Sequence, residues 1–281
     1  MRKITKAGVL TRVANARQKL GRRIAAAPAE TKNDHLAASF AKYLERREGR
    51  TFVGFPSRWR VDHPAFDAPA PIAVVMHVYF TDLVPELIRE LKAIPVPFDL
   101  FVTNASGTAI TLEGLEETAC RNRRLVDVEN RGRDIWPMVQ LVNAGWLDDY
   151  DLIFKIHTKK SEWRESHELE GTGEEWKQGF YRDLLGSPEN VSDIISGILE
   201  NPHIGTVTSN GSICGPEHWG GDLEITGELL RRLVVPQDPN ALRFPSGSIY
   251  WIRGFILQGL RALQLDACLL YTSDAADDMQ R

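Results

Sequence analysis

Apolar runs and helically spaced segments alternate along the central part of the chain. Runs such as "IAVVMHVYF" (Ile72–Phe80) are nearly continuous in apolar residues, which is typical of strands buried on both faces. The predicted elements are, in order, strand 72–80, helix 81–91, strand 98–104, helix 111–120, strand 123–130, helix 133–146 and strand 150–158. Strands and helices that alternate with short connections predict an α/β domain with a mostly parallel sheet.

The second half of the chain is less regular. The predicted elements there are helices at 174–185 and 191–200, a strand at 203–209 and a later strand at 244–253. A Pro- and Ala-rich connector, "DHPAFDAPAP", separates the α/β domain (71–265) from a short helical N-terminal region (1–70). We expect residues 266–281 to be a non-native or truncated tail, because "CLLYTSDAADDMQR" breaks the preceding pattern.

Composition and charge narrow the range of partners. The 281 residues are 43% hydrophobic and 26% charged, as in a globular protein, and the three cysteines have no metal-like spacing, which fits a reducing compartment. The net charge of −4 is uneven, since the first 29 residues carry eight Lys or Arg and no acid. That segment fits a helix resting on an anionic membrane surface, a solvated helix or linker, or an organellar transit peptide. The acidic remainder, 26 basic against 38 acidic residues, argues against nucleic acid as a partner.

Polar residues gather where the predicted parallel strands end. In a sheet of this kind ligands bind outside the carboxyl ends of the strands, near a reversal in strand order. The ends of the four predicted strands carry Tyr79, Asn104, the segment 129–134 and the segment 155–160. We therefore place the candidate site at this edge.

The turn "VENRGRDIWP" (Val128–Pro137) has features of an anion site. Gly132 permits a sharp turn, and Asp134 is placed to cap the next helix, whose free N–H groups attract anions. Arg131 and Arg133 carry the guanidinium forks that suit phosphate oxygens. The alternative is an ordinary strand–helix turn with two surface arginines.

The segment "KIHTKK" lines up cations at the end of a buried strand. Side chains alternate along a strand, so Lys155, His157 and Lys159 are expected on one face, with neighbours roughly 6.6 Å apart. That spacing suits a diphosphate. A lysine so close to a buried run must be neutralised, either by an anionic ligand or by an internal ion pair with a carboxylate such as Asp134.

Several motifs together resemble the rhamnan synthesis protein F family, whose members take part in bacterial cell-surface polysaccharide assembly. The resemblance covers about Tyr43 to Leu265, and its motifs are "IAVVMHVYFTDLVPEL", "FDLFVTN", "VENRGRDIWP", "YDLIFKIHTKKS" and "FPSGSIYWIR". It implies a Rossmann-like, GT-A-type domain that transfers a sugar, usually rhamnose, from a nucleotide donor. The implied donors are dTDP- or GDP-rhamnose, and the implied acceptor is a glycan or lipid-linked glycan.

One departure from the broader GT-A pattern concerns metal. Those transferases usually carry Asp-x-Asp after the fourth strand, where this chain has Lys155-Ile156-His157. Fixed cations also stabilise leaving-group charge, so we expect no cofactor and do not favour a divalent cation. Arg131, Arg133, Lys155 and Lys159 are the expected diphosphate ligands. His157 is the expected acid for the leaving phosphate.

Further candidates lie at other strand ends and in a Gly-rich loop. Tyr79, Asn104 and Asp134 are expected near the nucleoside. In "CGPEHWGG" (Cys214–Gly221), Glu217 or His218 is the candidate base for the acceptor hydroxyl, and Trp219 is placed to stack on a sugar. The resemblance places Gly247 and Ser248 on the acceptor side. The alternative for the loop is a surface turn anchored by its tryptophan.

Three functions remain open from sequence. The first is a glycosyltransferase, and the second is a non-catalytic nucleotide- or glycan-binding module of a polysaccharide-assembly complex. The third is another α/β enzyme that binds a phosphorylated metabolite. The expected location is cytoplasmic, with peripheral contact at the inner face of the membrane through the basic N-terminus.

Overall fold

A computed structural model describes residues 66–158, 173–218, 223–235, 238–263 and 265. All of them belong to the second of the two units into which the chain divides, Gly54–Arg281. The predicted basic N-terminal helix and the predicted tail at 266–281 lie outside the described residues. No helix within these ranges has the length and apolar character needed to cross a membrane.

Eight strands and six α-helices make up the described part of the chain. The strands are β1 (Ile72–Val78), β2 (Phe98–Asn104), β3 (Cys120–Asp127), β4 (Leu152–His157), β5 (Thr206–Thr208), β6 (Ile213–Cys214), β7 (Phe244–Pro245) and β8 (Tyr250–Arg253). The helices are α1 (Val84–Leu91), α2 (Ile135–Asn143), α3 (Gly173–Leu184), α4 (Pro188–Glu200), α5 (Leu223–Arg232) and α6 (Gly254–Ala262). Single 3₁₀ turns occur at Thr81–Leu83, Leu115–Glu117, Pro216–His218 and Pro239–Ala241.

Six strands form the central sheet, in the order β3-β2-β1-β4-β8-β5. The first four are mutually parallel, and β8 runs antiparallel to both of its neighbours. From β1 the chain moves outward to β2 and β3 and then returns to place β4 on the other side of β1. The strand order therefore reverses between β1 and β4. The predicted mostly parallel sheet is confirmed.

Helices cover both faces of the sheet, which explains the continuous apolar runs of its central strands. On one face Val74 and Phe154 pack with apolar residues of α1, α3 and α4. On the other face Val75 and Ile153 pack with apolar residues of α2 and α6. Trp251 of β8 is fully buried on the first face.

Element boundaries differ from prediction where tertiary pairing outweighs the local pattern. β3 begins at Cys120, three residues earlier than predicted, because Cys120 and Asn122 pair with Phe98 and Asp99 of β2, with a shift in register between the two pairs. The helix predicted at 111–120 is reduced to one 3₁₀ turn that begins after Gly114, whose φ is 84°. The helix predicted at 81–91 begins with a 3₁₀ turn at Thr81–Leu83, and α1 begins at Val84 without a side-chain cap.

Candidate functional site

Polar side chains stand together where β1 and β4 end and the strand order reverses. In the sheet register Thr103 of β2 is beside His77 of β1, and His77 is beside His157 of β4. Two residues earlier on β4, Lys155 is beside Tyr250 of β8. The space outside the ends of β1 and β4, which we call the crevice, is where open α/β sheets bind their ligands.

Lys155 is buried at the base of the crevice and pairs with Asp134. Its side chain is 1% exposed, and its ammonium group forms an ion pair with the Asp134 carboxylate. The ammonium also donates to the Ser248 carbonyl oxygen at 2.9 Å and lies 5.6 Å from the centre of the Tyr250 ring. Of the two ways to neutralise Lys155 that the sequence left open, the structure has the internal carboxylate.

Asp134 does not cap α2, contrary to the sequence prediction. It occupies the position before the first helical residue, but its side chain makes no capping hydrogen bond. The carboxylate instead turns toward Lys155, because a buried ammonium is a stronger partner than a helix N–H group that water can reach.

Burial and the partner charge act in opposite directions on each member of this pair. Burial by itself raises the pKa of Asp134, but the nearby charges of His157 and Lys155 hold it well below its ordinary value. Burial lowers the pKa of Lys155, and the neighbouring carboxylate of Asp134 opposes that change. The carboxylate is therefore ionised at neutral pH, and it neutralises much of the lysine charge within the protein.

His157 directs both ring nitrogens at main-chain oxygens. Its Nε2 lies 2.9 Å from the Gly247 carbonyl oxygen, and its Nδ1 lies 3.2 Å from the carbonyl oxygen of Thr158. A carbonyl oxygen only accepts, so both contacts are hydrogen bonds when the ring carries two protons.

The turn at Gly247–Ser248 supplies the oxygens that these cations contact. Both residues have a left-handed backbone, with φ of 86° at Gly247 and 58° at Ser248. A Cβ at position 247 would lie 2.8 Å from the rings of Phe180 and Trp176. Glycine is therefore required there. The contacts of Gly247 and Ser248 with the cations are made by their main chain.

A second left-handed turn lies at the start of α2. Gly132 has φ of 64° and Arg133 has φ of 49°, and the N–H of Arg131 donates to the Glu129 carbonyl oxygen at 2.8 Å. The sharp turn predicted at Gly132 is confirmed. Arg133 is exposed and makes no hydrogen bond or ion pair with any described residue. Its guanidinium is available to a ligand.

Tyr79 lies at the outer end of β1, with 44% of its surface exposed. Its main-chain N–H donates to the Thr158 hydroxyl oxygen at 2.9 Å, and the N–H of Phe80 donates to the same oxygen at 3.1 Å. Thr158 thus ties the end of β4 to the end of β1 and leaves the Tyr79 ring at the surface. The ring is accessible, as a nucleoside contact requires.

Asn104 is buried, and its amide holds the loop that follows β2. The amide nitrogen donates to the Thr108 carbonyl oxygen and to the Asp127 carboxylate, each at 2.8 Å. The amide oxygen accepts from the Ser106 hydroxyl at 2.7 Å. These hydrogen bonds give Asn104 a structural role at the end of the sheet.

Glu217 and His218 form an exposed pair on a 3₁₀ turn. Their side chains are 3.2 Å apart, and the N–H of Gly215 donates to the Glu217 carboxylate at 3.1 Å. Main-chain hydrogen bonds keep the pKa of Glu217 below its ordinary value. Within the described residues, these hydrogen bonds stay among positions 215–218. Lys159 and Trp219 lie outside the described residues.

Sequence reasoning missed His77. The residue is 5% exposed, and its Nδ1 lies 2.9 Å from the Thr103 hydroxyl oxygen. Burial lowers the pKa of His77 to about 4, and the cations His157 and Lys155 add to that effect. The available signal was a titratable residue that interrupts an apolar run one position before the strand ends.

No group of three or more His, Cys, Asp or Glu side chains among the described residues is arranged to hold a metal ion.

Comparison with known proteins identifies the family. The family model for rhamnan synthesis protein F matches residues 58–267. Two curated proteins of Xanthomonas campestris pv. campestris, both named "Uncharacterized protein WxcX", are each 31% identical over 203 residues, which is 70% of this chain and 27% of theirs. The chain thus spans about a quarter of the length of these relatives. No solved structure matches the chain. The chain belongs to the rhamnan synthesis protein F family.

Proposed function

We propose that this chain binds a nucleotide-linked sugar and transfers the sugar, rhamnose by the family's name, to a growing bacterial polysaccharide. The observation that carries the proposal is the crevice, where the strand order reverses beside His157, Lys155 and the arginines of the 131–134 turn. A GT-A-like architecture is part of this proposal, because such transferases bind the donor at the same edge of a parallel sheet.

The donor diphosphate is proposed to lie over the start of α2. Arg133 is exposed there, and a guanidinium fork binds phosphate oxygens in pairs. Lys155 donates to protein oxygens, so its proposed part is to fix the turn at Ser248 beneath the ligand. Arg131 and Lys159 complete the proposed set of diphosphate ligands. The exposed ring of Tyr79 is the proposed nucleoside contact, together with Asn104 and Asp134.

The proposed reaction is a direct sugar transfer. The acceptor hydroxyl oxygen bonds to the anomeric carbon, the bond from that carbon to the diphosphate oxygen breaks with its electron pair, and the hydroxyl proton passes to a base. Glu217 or His218 is the proposed base, and Trp219 the proposed contact for the acceptor sugar. The cationic form of His157 would stabilise or protonate the leaving diphosphate. Fixed cations would take the part that a metal takes in Asp-x-Asp enzymes.

Calorimetric titration with dTDP-rhamnose and GDP-rhamnose, with EDTA present, tests the proposal. Arg133→Ala is expected to weaken binding about tenfold or more, the loss of one charge-assisted contact. Arg121→Ala is the matched control, because Arg121 is also exposed but lies at the start of β3, on the opposite edge of the sheet. Simple sugar phosphates are the comparison ligands for an enzyme of phosphorylated metabolites.

The outcomes separate the alternatives. Absence of binding by the folded wild type would make the proposal wrong. If Arg133→Ala and Arg121→Ala weaken donor binding equally, the diphosphate does not bind at this edge of the sheet. Equal affinity for sugar phosphates and nucleotide sugars would favour a different α/β enzyme.

A non-catalytic binding module is the second candidate. The hydrogens of Lys155 and His157 are directed at protein oxygens, which suits a fixed binding surface as well as a reacting one. A donor-turnover assay with an acceptor glycan distinguishes the two functions. Release of nucleoside diphosphate that requires Glu217 or His218 supports transfer, and tight donor binding without any release supports the module.

A further inference from the structure

His77 is the one histidine of the crevice that the proposed mechanism does not use. It is in register with Thr103 on one side and with His157 on the other, at the end of the central strand of the reversal. Position and burial place it in the floor of the crevice. The charged groups that act on it are Asp134, Lys155 and His157.

The contact with the Thr103 hydroxyl indicates which ring nitrogen of His77 carries the proton. Thr103 is 1% exposed, and within the described residues its hydroxyl contacts only Nδ1 of His77. If Nδ1 donated, the buried hydroxyl hydrogen of Thr103 would have no acceptor. If the hydroxyl donates to Nδ1, every hydrogen in the contact has a partner. The neutral ring then carries its proton on Nε2.

Nε2 of His77 is the ring nitrogen that Thr103 does not contact. In the described part of the chain the ring makes no second hydrogen bond. The fully enclosed side-chain polar atoms without a partner there are Asn143 Oδ1 and the Tyr181 hydroxyl oxygen. Nε2 is not among them, so it is not fully enclosed by the protein.

We propose that His77 is a ligand-binding residue whose neutral ring donates a hydrogen bond from Nε2 to a phosphate oxygen of the bound nucleotide sugar. The inference rests on the proposed function, since it assigns a ligand to the same crevice. His77 lies beside His157 and at the same edge of the sheet as Arg133. A phosphate oxygen is the acceptor that suits a donor in these surroundings. Because the ring is neutral, its hydrogen bond would orient the phosphate group without adding another buried charge.

Two substitutions distinguish the role of Nε2 from that of Nδ1. In His77→Gln the amide nitrogen reaches the place of Nε2, whereas in His77→Asn the shorter amide reaches only the place of Nδ1 and its contact with Thr103. Titration with dTDP-rhamnose is expected to show about tenfold weaker binding for His77→Asn, the loss of one hydrogen bond to a charged group. His77→Gln is expected to stay within about threefold of the wild type.

A second measurement does not depend on variants or turnover. Long-range ¹H–¹⁵N correlation of the labelled wild type, with the His77 ring assigned from its own backbone resonances, reports which nitrogen is protonated. The expected result is a neutral ring with its proton on Nε2, and a shift of that nitrogen when dTDP-rhamnose is added. A proton on Nδ1 would overturn the inference.

The outcomes distinguish this inference from the proposed function. Wild-type binding that both His77 variants retain would overturn the role of His77 and leave the proposed function intact. Failure of the folded wild type to bind any nucleotide sugar would overturn both. Weaker binding of dTDP-rhamnose by His77→Asn, together with near wild-type binding by His77→Gln, supports the hydrogen bond from Nε2.

Discussion

At the scale of the residue, burial decides what a charge near the crevice can do. Lys155 and His157 alternate along β4 as the strand pattern predicts, yet their side-chain nitrogens contact Asp134 and three main-chain oxygens. The exposed Arg133 has no such protein partner among the described residues. Cations that look equivalent in the sequence therefore differ in their availability to a ligand.

Replacement of Lys155 tests the buried ion pair. Lys155→Met leaves the Asp134 carboxylate buried without its main partner, so we expect the free energy of unfolding to fall by about 3–5 kcal/mol. The double variant Lys155→Met/Asp134→Leu removes both charges and is expected to recover most of that loss. Urea denaturation measures both variants. A stable Lys155→Met protein that only loses donor binding would contradict a structural role for the pair.

His77 makes stability depend on pH in a defined window. Its pKa is about 4 in the folded protein against an ordinary value of 6.5, so the unfolded chain binds the proton more tightly. Stability from the neutral ring is complete above pH about 6.5 and is lost as pH falls to about 4, by about 3 kcal/mol in total.

The matched variant His77→Gln isolates this effect. Its unfolding free energy, measured from pH 7 to pH 4, should fall by less than that of the wild type, because glutamine does not titrate. Parallel curves for the two proteins would show that the folded His77 ring titrates near its ordinary pKa.

At the scale of the element, the turn before β8 joins the core to the crevice. Gly247 packs under the rings of Phe180 and Trp176, and its carbonyl oxygen accepts from His157. The same turn carries Ser248 in a left-handed conformation. A change in this turn therefore reaches helix α3 on one side and both buried cations on the other.

Gly247→Ala is expected to destabilise the fold by about 1–3 kcal/mol, because the added methyl group meets two rings at a positive φ. Donor binding should weaken with it, since the carbonyl oxygens of the turn move. The control is Gly197→Ala in α4, where a Cβ would meet nothing within 4 Å. That helical substitution is expected to stabilise by up to about 1 kcal/mol. Thermal unfolding and calorimetry give both readouts, and equal stability of the two variants would refute the steric argument.

At the scale of the whole molecule, charge is distributed unevenly. The first 29 residues carry eight basic and no acidic residues, whereas the rest of the chain is acidic. Each basic residue near an anionic lipid surface contributes about 1 kcal/mol of attraction, which salt screens. This asymmetry supports the proposed peripheral contact with the inner face of the membrane.

Co-sedimentation with vesicles tests that contact. The wild type is expected to sediment with phosphatidylserine-containing vesicles at low salt and to be released as salt rises. A variant with the eight basic residues replaced by glutamine should stay in the supernatant, as should the wild type with uncharged vesicles. Equal sedimentation of the two proteins would assign the basic segment to a solvated helix or linker.

Most of the fold follows from local patterns. Apolar runs located β1, β2 and β4, because strands buried on both faces are nearly continuous in apolar residues. The alternation with helices predicted a parallel sheet, because short crossovers give a recognisable order of strands and helices in the sequence. The polar start of β3 carried no such mark, and its extent was set by pairing with β2. The antiparallel place of β8 between β4 and β5 also had no local signal.

The sequence by itself determined the family, the α/β class and the edge of the sheet where polar residues gather. Only the tertiary structure decided the partners of those residues: Lys155 with Asp134, His157 with Gly247, and His77 with Thr103. The physical reason is that a strand's period fixes the face on which a side chain lies. Burial and hydrogen-bond partners come instead from segments that are distant along the chain.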